Sequence, residues 1–222
     1  MTAPSPGNGG GARRYYGVYP AIVTDLVDPD RLGRVQVELP WLGGAGDTVR
    51  AWATLLTPYA DDDQGFLALP EVDTQVVVAF EAGDPHRPYI VGACWNGKEM
   101  MPVTPTKPNN RRVLRSREHS VLEFDDTQGS VKVTLATESG HELVLDAGTS
   151  EISLTHSGGS KIVISASGQV QITANSTIEM TASALNVHAG SAIFDGTVTC
   201  TTLTALTSVV SPSYTPGAGN VW

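Results

Sequence analysis

The sequence predicts an all-β protein in two parts, and three observations carry this prediction. Residues 15–97 contain short apolar runs that are separated by turn residues. From residue 131 onward, pairs of apolar residues recur in the form apolar-x-apolar, with mostly small and polar residues between them. After residue 119 the apolar residues nowhere follow the 3.6-residue spacing of a helix. A chain of 222 residues has room for one or two domains.

Residues 1–14 are rich in Gly, Pro, Ser and Asn, and we expect them to form a flexible arm. They lack the hydrophobic stretch of a signal peptide, so we expect synthesis in the cytoplasm without a cleaved leader. Cys94 and Cys200 fall in different predicted parts, which argues against a disulfide and suits a reducing compartment.

Residues 15–97 predict a small closed barrel. Strand-like runs occur at residues 17–26, 34–40, 49–56, 66–69, 74–80 and 89–93, with turn residues between them. Five or six short strands in about eighty residues, without a helix, are typical of an oligonucleotide/oligosaccharide-binding (OB) fold or a similar barrel. This fold alone assigns no function, because its binding loops vary freely.

Residues 98–118 are predicted to be a linker rich in Pro, Asn and Arg. Its basic run (Arg111, Arg112, Arg115 and Arg117) is interpreted as solvated or paired with acidic neighbours. Downstream, residues 119–222 hold nine acidic and two basic residues, and the whole chain carries a net charge of −9. This balance argues against nucleic acid as a partner, because phosphate contacts need clustered Lys and Arg.

Residues 119–210 are predicted to form an elongated spike of stacked short strands. The predicted core consists of the recurring apolar pairs, with a step near eight residues from Ile162 onward. Its members are Val131, Val133, Leu143, Leu145, Ile152, Leu154, Ile162, Ile164, Val170, Ile172, Ile178, Met180, Leu185 and Val187.

One chain has nothing with which to cover these pairs. A single-chain solenoid could close on its own coils, or several chains could each supply one wall around a common axis. Two apolar positions per strand favour the second arrangement, an intertwined trimeric β-helix or β-prism whose backbone ladder runs between chains. Each inward Val, Ile or Leu would then contribute about 1.5–3 kcal/mol of transfer free energy before ordering entropy is subtracted.

The sequence offers no catalytic, cofactor or metal site. The five histidines, at positions 86, 119, 141, 156 and 188, fall in no HExxH or His-x-His arrangement. Residues 61–63 are three consecutive aspartates without the spaced oxygen ligands of a calcium loop, so a solvated loop is the better interpretation. We therefore predict that the protein is not an enzyme.

The order of several short motifs resembles the spike proteins of contractile injection systems, which include the VgrG proteins and the baseplate spikes of contractile phage tails. The match extends over about residues 17–130 and departs from the family at residues 73–75, where Asp-Thr-Gln replaces the usual Gly-Asp-Glu. The motifs include residues 32–37 (Leu-Gly-Arg-Val-Gln-Val), 40–41 (Pro-Trp), 69–72 (Leu-Pro-Glu-Val), 83–85 (Gly-Asp-Pro) and 123–127 (Glu-Phe-Asp-Asp-Thr).

The resemblance implies a homotrimer that pierces a target envelope when a sheath contracts. It implies a hub protein at the barrel end, contact with the inner tube and baseplate, and a small tip protein of the PAAR type at the other end. Because the sequence starts directly at the barrel, we expect the short, stand-alone form found in phage-tail-like particles. Residues 211–222, with Pro212 and Pro216, break the apolar pattern. They are predicted either to fray or to dock the tip through Tyr214, Val221 and Trp222.

Two other functions are compatible with parts of this pattern. An OB barrel that recognises glycan or peptidoglycan on a solenoid stalk predicts exposed aromatic residues and affinity for saccharides. A cell-wall hydrolase requires an acid and base pair, which the sequence does not provide.

Overall fold

The computed structural model describes residues 13–44 and 46–212. These residues contain β-strands and one short 3-10 turn at Glu81–Gly83, so the all-β prediction is confirmed. Of these described residues, those up to Ile172 form one unit, and those from Thr173 to residue 212 belong to a second.

Five strands form a closed barrel near the N-terminus, in the order β1-β2-β3-β7-β6. The ring closes because β1 pairs with both β2 and β6, and because β3 pairs with β7 in parallel. A closed sheet leaves no free edge, and five strands are the number of an OB fold. The strands are β1 (Val18–Asp25), β2 (Arg34–Glu38), β3 (Arg50–Leu55), β6 (Gln75–Phe80) and β7 (Pro88–Ala93).

Alternation of apolar and polar residues places the core inside the barrel. Along β2, for example, Val35 and Val37 are buried, while the polar residues Arg34, Gln36 and Glu38 are half-buried. The buried apolar residues of the described chain all lie between residues 21 and 90: Ala21, Val23, Val35, Val37, Leu39, Ala53, Val76, Val78, Phe80 and Ile90.

The excursion between β3 and β6 differs from the prediction. It forms a small hairpin of β4 (Ala60–Asp61) and β5 (Gln64–Gly65), whose tip contains Asp62 and Asp63. The strand predicted at residues 66–69 is absent. Phe66 and Leu67 are apolar but stay exposed, because the adjacent barrel positions are already occupied by β3, β6 and β7.

A single buried carboxylate organises the connection between β1 and β2. Asp28 accepts hydrogen bonds from the backbone N–H groups of Asp30, Leu32 and Arg34 at 3.0, 3.0 and 3.2 Å. The Arg34 side chain donates two more, from Nε at 2.9 Å and Nη2 at 2.8 Å. Mainly through the Arg34 side chain, and further through these N–H groups, the pKa of the Asp28 carboxyl is held well below its ordinary value.

The last residues of the predicted arm contact the barrel. Arg14 donates from Nη1 to the carbonyl of Ala82 at 2.8 Å, and the N–H of Tyr15 donates to the carbonyl of Gly83 at 2.9 Å. Gly83 has a φ of +79°, and a Cβ there would lie 3.2 Å from Tyr15 N and from the Arg14 and Tyr16 side chains. Arg14 therefore contacts the barrel, and the prediction of a free arm is wrong for this residue.

Seven further strands form an open antiparallel sheet, here called the C-terminal sheet, in the order β14-β13-β12-β11-β10-β9-β8. Each strand pairs with its neighbours in sequence. The strands are β8 (Arg111–Arg115), β9 (Val121–Asp125), β10 (Lys132–Ala136), β11 (Glu142–Asp146), β12 (Glu151–Thr155), β13 (Lys161–Ile164) and β14 (Val170–Thr173).

This sheet corrects two expectations. The predicted linker at residues 98–118 contains β8, which pairs with β9. The predicted backbone ladder between chains is wrong for residues 111–173, because their strands pair within one chain. The reason is the turn chemistry: short turns fold each strand back onto the preceding one, which produces hairpins rather than coils.

Three of these turns share one geometry, at residues 137–141, 156–160 and 165–169. In each turn the first N–H donates to the fifth carbonyl, and the fourth N–H donates to the first carbonyl. The fourth residue has positive φ and is glycine, as at Gly140 (+89°) and Gly159 (+92°). The turn at residues 116–120 repeats the pattern with His119 at that position.

Residues 174–212, here called the tail segment, contain no strand in the structure. Large apolar side chains remain exposed along this segment, among them Ile178, Met180, Leu185 and Val187. None of the helices in the described part of the chain is long and apolar enough to cross a membrane.

Candidate functional site: the apolar face of the C-terminal sheet

One face of the C-terminal sheet carries two parallel rows of apolar side chains. Residues that pair across antiparallel strands point to the same face, and so do residues two apart along a strand. The first row contains Phe124, Val133, Leu145, Ile152 and Ile164. The second row contains Leu114, Leu122, Leu135, Leu143, Leu154 and Ile162. We call the two rows together the apolar face.

The opposite face, here called the polar face, carries charged and polar side chains together with valines. Its central row alternates in character and contains Val113, Glu123, Thr134, Val144, Ser153 and Val163. Arg111 on β8 donates two hydrogen bonds to Glu123 on β9, at 2.7 and 2.6 Å. The hydrogen bond to Glu123 raises the pKa of Arg111. At the end of β9, the hydroxyl and N–H of Thr127 donate to Asp125, and these bonds lower the pKa of its carboxyl. The sheet is thus amphipathic from side to side.

The apolar face is uncovered in the single chain. Leu154 is 50% exposed, Ile152 is 44% exposed and Leu135 is 54% exposed, although all three belong to regular strands. Near Val131, Val133, Leu145 and Ile152 the face sinks into an apolar groove of about 390 Å³. A continuous apolar surface of this extent marks an interaction site in a soluble protein.

Half of the fourteen predicted core residues of the spike lie on this face. Val133, Leu143, Leu145, Ile152, Leu154, Ile162 and Ile164 all lie in the two rows. Val131 precedes β10 and lines the apolar groove. Val170 and Ile172 lie on β14, at the edge of the sheet. That the predicted core residues are buried in a trimer stays a prediction.

Sequence reasoning missed four residues of the apolar face: Leu114, Leu122, Phe124 and Leu135. The signal was present, because Leu122 and Phe124 form an apolar-x-apolar pair and Leu135 follows Val133 by two. On β10 the two residues of the apolar face are Val133 and Leu135, whereas the predicted pair was Val131 and Val133, two residues earlier. Leu114 was not predicted because the arginines around it indicated a linker.

The remaining predicted core residues lie beyond the sheet. Four of them are exposed in the tail segment, which forms no strand in the described chain: Ile178, Met180, Leu185 and Val187. The three predicted tip-docking residues, Tyr214, Val221 and Trp222, lie outside the described residues.

The histidines do not assemble into a catalytic or metal centre. Among residues 13–44 and 46–212, no group of three or more His, Cys, Asp or Glu side chains is placed to hold a metal ion. His141 and His156 lie on adjacent turns with ring centroids 4.5 Å apart. Each accepts a backbone N–H at Nδ1, from Ser157 at 3.3 Å and from Gly158 at 2.9 Å. These hydrogen bonds stabilise the two turns.

Comparison with known proteins identifies the barrel. Residues 19–95 match the family described as the type VI secretion system/phage-baseplate injector OB domain. The match falls within the predicted barrel and includes all five strands of the closed sheet except the first residue of β1.

Curated relatives extend the similarity into the C-terminal sheet. The type VI secretion system spike protein VgrG3 of Vibrio cholerae is 26% identical over 130 residues, which are 55% of this chain and 13% of that protein. The actin cross-linking toxin VgrG1 of V. cholerae is 26% identical over 124 residues, 53% of this chain and 11% of that protein. The spike protein VgrG5 of Pseudomonas aeruginosa is 26% identical over 132 residues, 54% of this chain and 17% of that protein.

The aligned part of the chain thus spans less than a fifth of the length of these relatives. Within that part, the resemblance indicated by the sequence motifs is confirmed. Residues 19–95 are similar to the injector OB domain of type VI secretion systems and phage baseplates, and about half of the chain is similar to VgrG spike proteins of type VI secretion systems.

Proposed function

We propose that three copies of this chain assemble through their apolar faces into the central spike of a contractile injection machine. The observation that carries this proposal is the uncovered pair of apolar rows on the C-terminal sheet. Burial of each Leu, Ile, Val or Phe contributes about 1.5–3 kcal/mol of transfer free energy, and an exposed face does not gain this stabilisation.

Strand length favours three walls around one axis. The strands of this sheet are four or five residues long, so each presents two side chains to the apolar face. Three such walls would bring six apolar side chains together at each level and leave every wall one polar outer face. Seven strands at a spacing of about 4.8 Å would give walls about 29 Å high.

The tail segment supports the same assembly by a different route. Its backbone forms no strand in the single chain, yet its apolar residues continue the pattern of the sheet. Strands that pair between chains would satisfy these backbone groups and enclose the apolar residues. We therefore propose that the intertwined β-helix is confined to residues after 173, with self-paired walls before it.

The names of the relatives support the role that we propose in the machine. VgrG3 and VgrG5 are named spike proteins of type VI secretion systems. For this chain we propose a barrel end seated on a hub protein at the end of the inner tube, and a distal end that pierces the target envelope when the sheath contracts. A PAAR-type tip would dock at residues 211–222, and the particle would be ejected into or through the envelope.

This role needs stiffness rather than catalysis. One relative is named an actin cross-linking toxin, but the alignment covers 11% of that protein. We propose that the described part of this chain acts as a structural element, which a dry apolar interior and continuous backbone hydrogen bonding would make resistant to bending.

The test places a charge on each face of one strand. Leu154→Asp puts a carboxylate on the apolar face, and Ser153→Asp puts the same group on the polar face of β12. By light scattering, we expect a mass three times the 23.4 kDa chain for the unmodified protein and for Ser153→Asp, and a single chain for Leu154→Asp. Contractile particles purified from producing cells should contain the first two proteins and exclude the third.

An unmodified chain that stays monomeric at micromolar concentration, or that forms dimers, would contradict the proposal. So would a Leu154→Asp variant that still enters particles. Barrel unfolding is excluded as a cause if the Leu154→Asp chain retains the thermal transition of the barrel.

A further inference from the structure

A groove on the outer wall of the barrel is separate from the apolar face. It has a volume of about 170 Å³ and lies over β2, β3 and β7. Trp52 and Thr54 on β3 and Tyr89 on β7 line it, because they alternate with the buried residues Ala53 and Ile90. Arg34 at the start of β2 lines one side, and the connection between β6 and β7 lines the other through Glu81 and Arg87.

This position coincides with the usual ligand surface of the OB fold. OB folds bind oligonucleotides and oligosaccharides on their second and third strands, between the first-to-second and fourth-to-fifth strand connections. Counted around this barrel, the second and third strands are β2 and β3. The connection at residues 81–87 lines the groove through Glu81, His86 and Arg87, and the connection at residues 26–33 leads into Arg34, which lines it as well.

The groove is pre-organised on the Arg34 side. Asp28 holds the guanidinium with two hydrogen bonds, and Asp30 accepts a third from Nη2 at 2.6 Å. In this position the Arg34 Cζ lies 5.9 Å from the centroid of the Trp52 ring. The guanidinium is therefore held in place before any ligand arrives, which reduces the entropy lost on binding.

The other side of the groove combines donors with an acceptor. Arg87 Nη1 donates to Glu81 Oε1 at 3.3 Å, and the Tyr89 hydroxyl donates to Glu81 Oε2 at 3.5 Å. These bonds are long, and the side chains of Arg87 and Glu81 are 66% and 47% exposed. Arginine has five N–H donors and a carboxylate accepts about four hydrogen bonds, so both retain capacity for a ligand.

Charge decides between the two ligand classes of the fold. The two arginines that line the groove are already paired with carboxylates, Arg34 with Asp28 and Asp30 and Arg87 with Glu81. Between residues 13 and 97, acidic side chains also outnumber basic ones by twelve to six. Both observations disfavour a phosphate backbone as the ligand. An aromatic ring beside several hydroxyl-compatible donors and acceptors suits an uncharged sugar, whose ring has an apolar face and a polar rim. We propose that this groove binds one uncharged pyranose unit of a glycan, in addition to and independently of the spike role.

Binding of two uncharged trisaccharides tests the proposal. β-1,4-linked N-acetylglucosamine trisaccharide and cellotriose are titrated into the full chain, with saturation-transfer NMR on the sugar and tryptophan fluorescence as readouts. For one buried sugar ring we expect a Kd on the order of 1 mM for at least one of them. Glu81→Gln and Trp52→Leu should each weaken binding by about tenfold or more.

Matched controls keep the test decisive. Trp95→Leu removes an exposed tryptophan outside the groove and should leave the Kd unchanged. All variants must retain the mass and thermal midpoint of the unmodified chain. If Trp52→Leu loses either property, Tyr89→Phe is used in its place. The proposal is overturned if neither trisaccharide binds at a sugar concentration about tenfold above the expected Kd. It is also overturned if Glu81→Gln binds as tightly as the unmodified chain, or if an oligothymidylate binds more tightly than both sugars. Because the oligomeric mass is read in the same samples, failure here leaves the spike proposal intact.

Discussion

At the scale of single residues, the buried carboxylate of Asp28 links the barrel to pH. Its five hydrogen bonds require the ionised form, and they hold its pKa well below the ordinary value of about 3.9. A carboxyl with a depressed pKa in the folded state stabilises the fold above its unfolded pKa. That stability is lost as the pH falls below about 4 toward the folded pKa.

We therefore predict that Asp28→Asn lowers the thermal midpoint of the barrel at pH 7, where the lost charge leaves the Arg34 guanidinium without its main partner. The deficit should be constant above about pH 5 and should shrink as the pH falls below about 4. Asp30→Asn is the matched control, since Asp30 is exposed and accepts one hydrogen bond from Arg34. An equal deficit at pH 3 and pH 7 would show that the charge is not responsible.

A second residue-scale prediction concerns the close approach at Gly83. Its φ is positive, and a Cβ at this position would lie 3.2 Å from three atoms of residues 14–16, so any side chain is unfavourable there. We expect Gly83→Ala to lower the free energy of unfolding of the barrel by about 1 kcal/mol or more in urea titrations. Gly92→Ala is the control, because its Cβ would meet nothing within 4 Å, and its effect should stay within about 0.5 kcal/mol.

At the scale of an element, strand β11 separates the two faces within two adjacent residues. Leu143 lies in a row of the apolar face, and Val144 pairs with Thr134 and Ser153 on the polar face. If the apolar face is the interior of an assembly, Leu143→Ala should lower the stability of the assembled protein by about 2–5 kcal/mol.

Val144→Ala, one residue away, should change the same free energy by about 0.5 kcal/mol. Both values come from denaturant unfolding of the assembled species, monitored by circular dichroism and by mass. Comparable losses for the two variants would indicate that neither face is enclosed.

The elements also show how far the sequence determines the fold. Five barrel strands were predicted close to their observed positions, because apolar alternation and turn residues coincide, as they do in β2. The predicted strand at residues 66–69 shows the limit of this reasoning, since Phe66 and Leu67 have strand character but no free barrel edge to join. Pairing partners are a tertiary property that local composition does not encode.

The C-terminal sheet shows a second limit of reasoning from pattern. The apolar pairs correctly predicted which residues share a face, because side-chain period is two in any strand. They did not predict the direction of successive strands, since coils and hairpins both preserve that period. The turns held the missing information: glycine at the fourth turn position, as at Gly140 and Gly159, favours a tight reversal within one chain. The groove over Trp52 was missed because its residues come from three strands and a loop that are distant in sequence.

At the scale of the whole molecule, the described chain divides into a part whose strands pair with one another and a part that contains no strand. Residues 111–173 exchange hydrogen bonds between neighbouring strands, whereas the tail segment has no strand in the structure. Amide hydrogen exchange separates these conditions, because an amide is protected only when it is hydrogen-bonded and opening is rare. The tail segment should therefore report assembly directly.

We predict that residues 174–212 exchange rapidly in the monomeric Leu154→Asp chain and slowly in the assembled protein. The central strands β10–β12 should be protected in both if the sheet folds within one chain, and the barrel strands supply an internal reference. Protection that spreads from β14 into the tail segment only on assembly would mean that partner chains continue the ladder where self-pairing ends. If the tail segment is already protected in the monomer, its backbone is satisfied within one chain, and the intertwined arrangement after residue 173 would have to be abandoned.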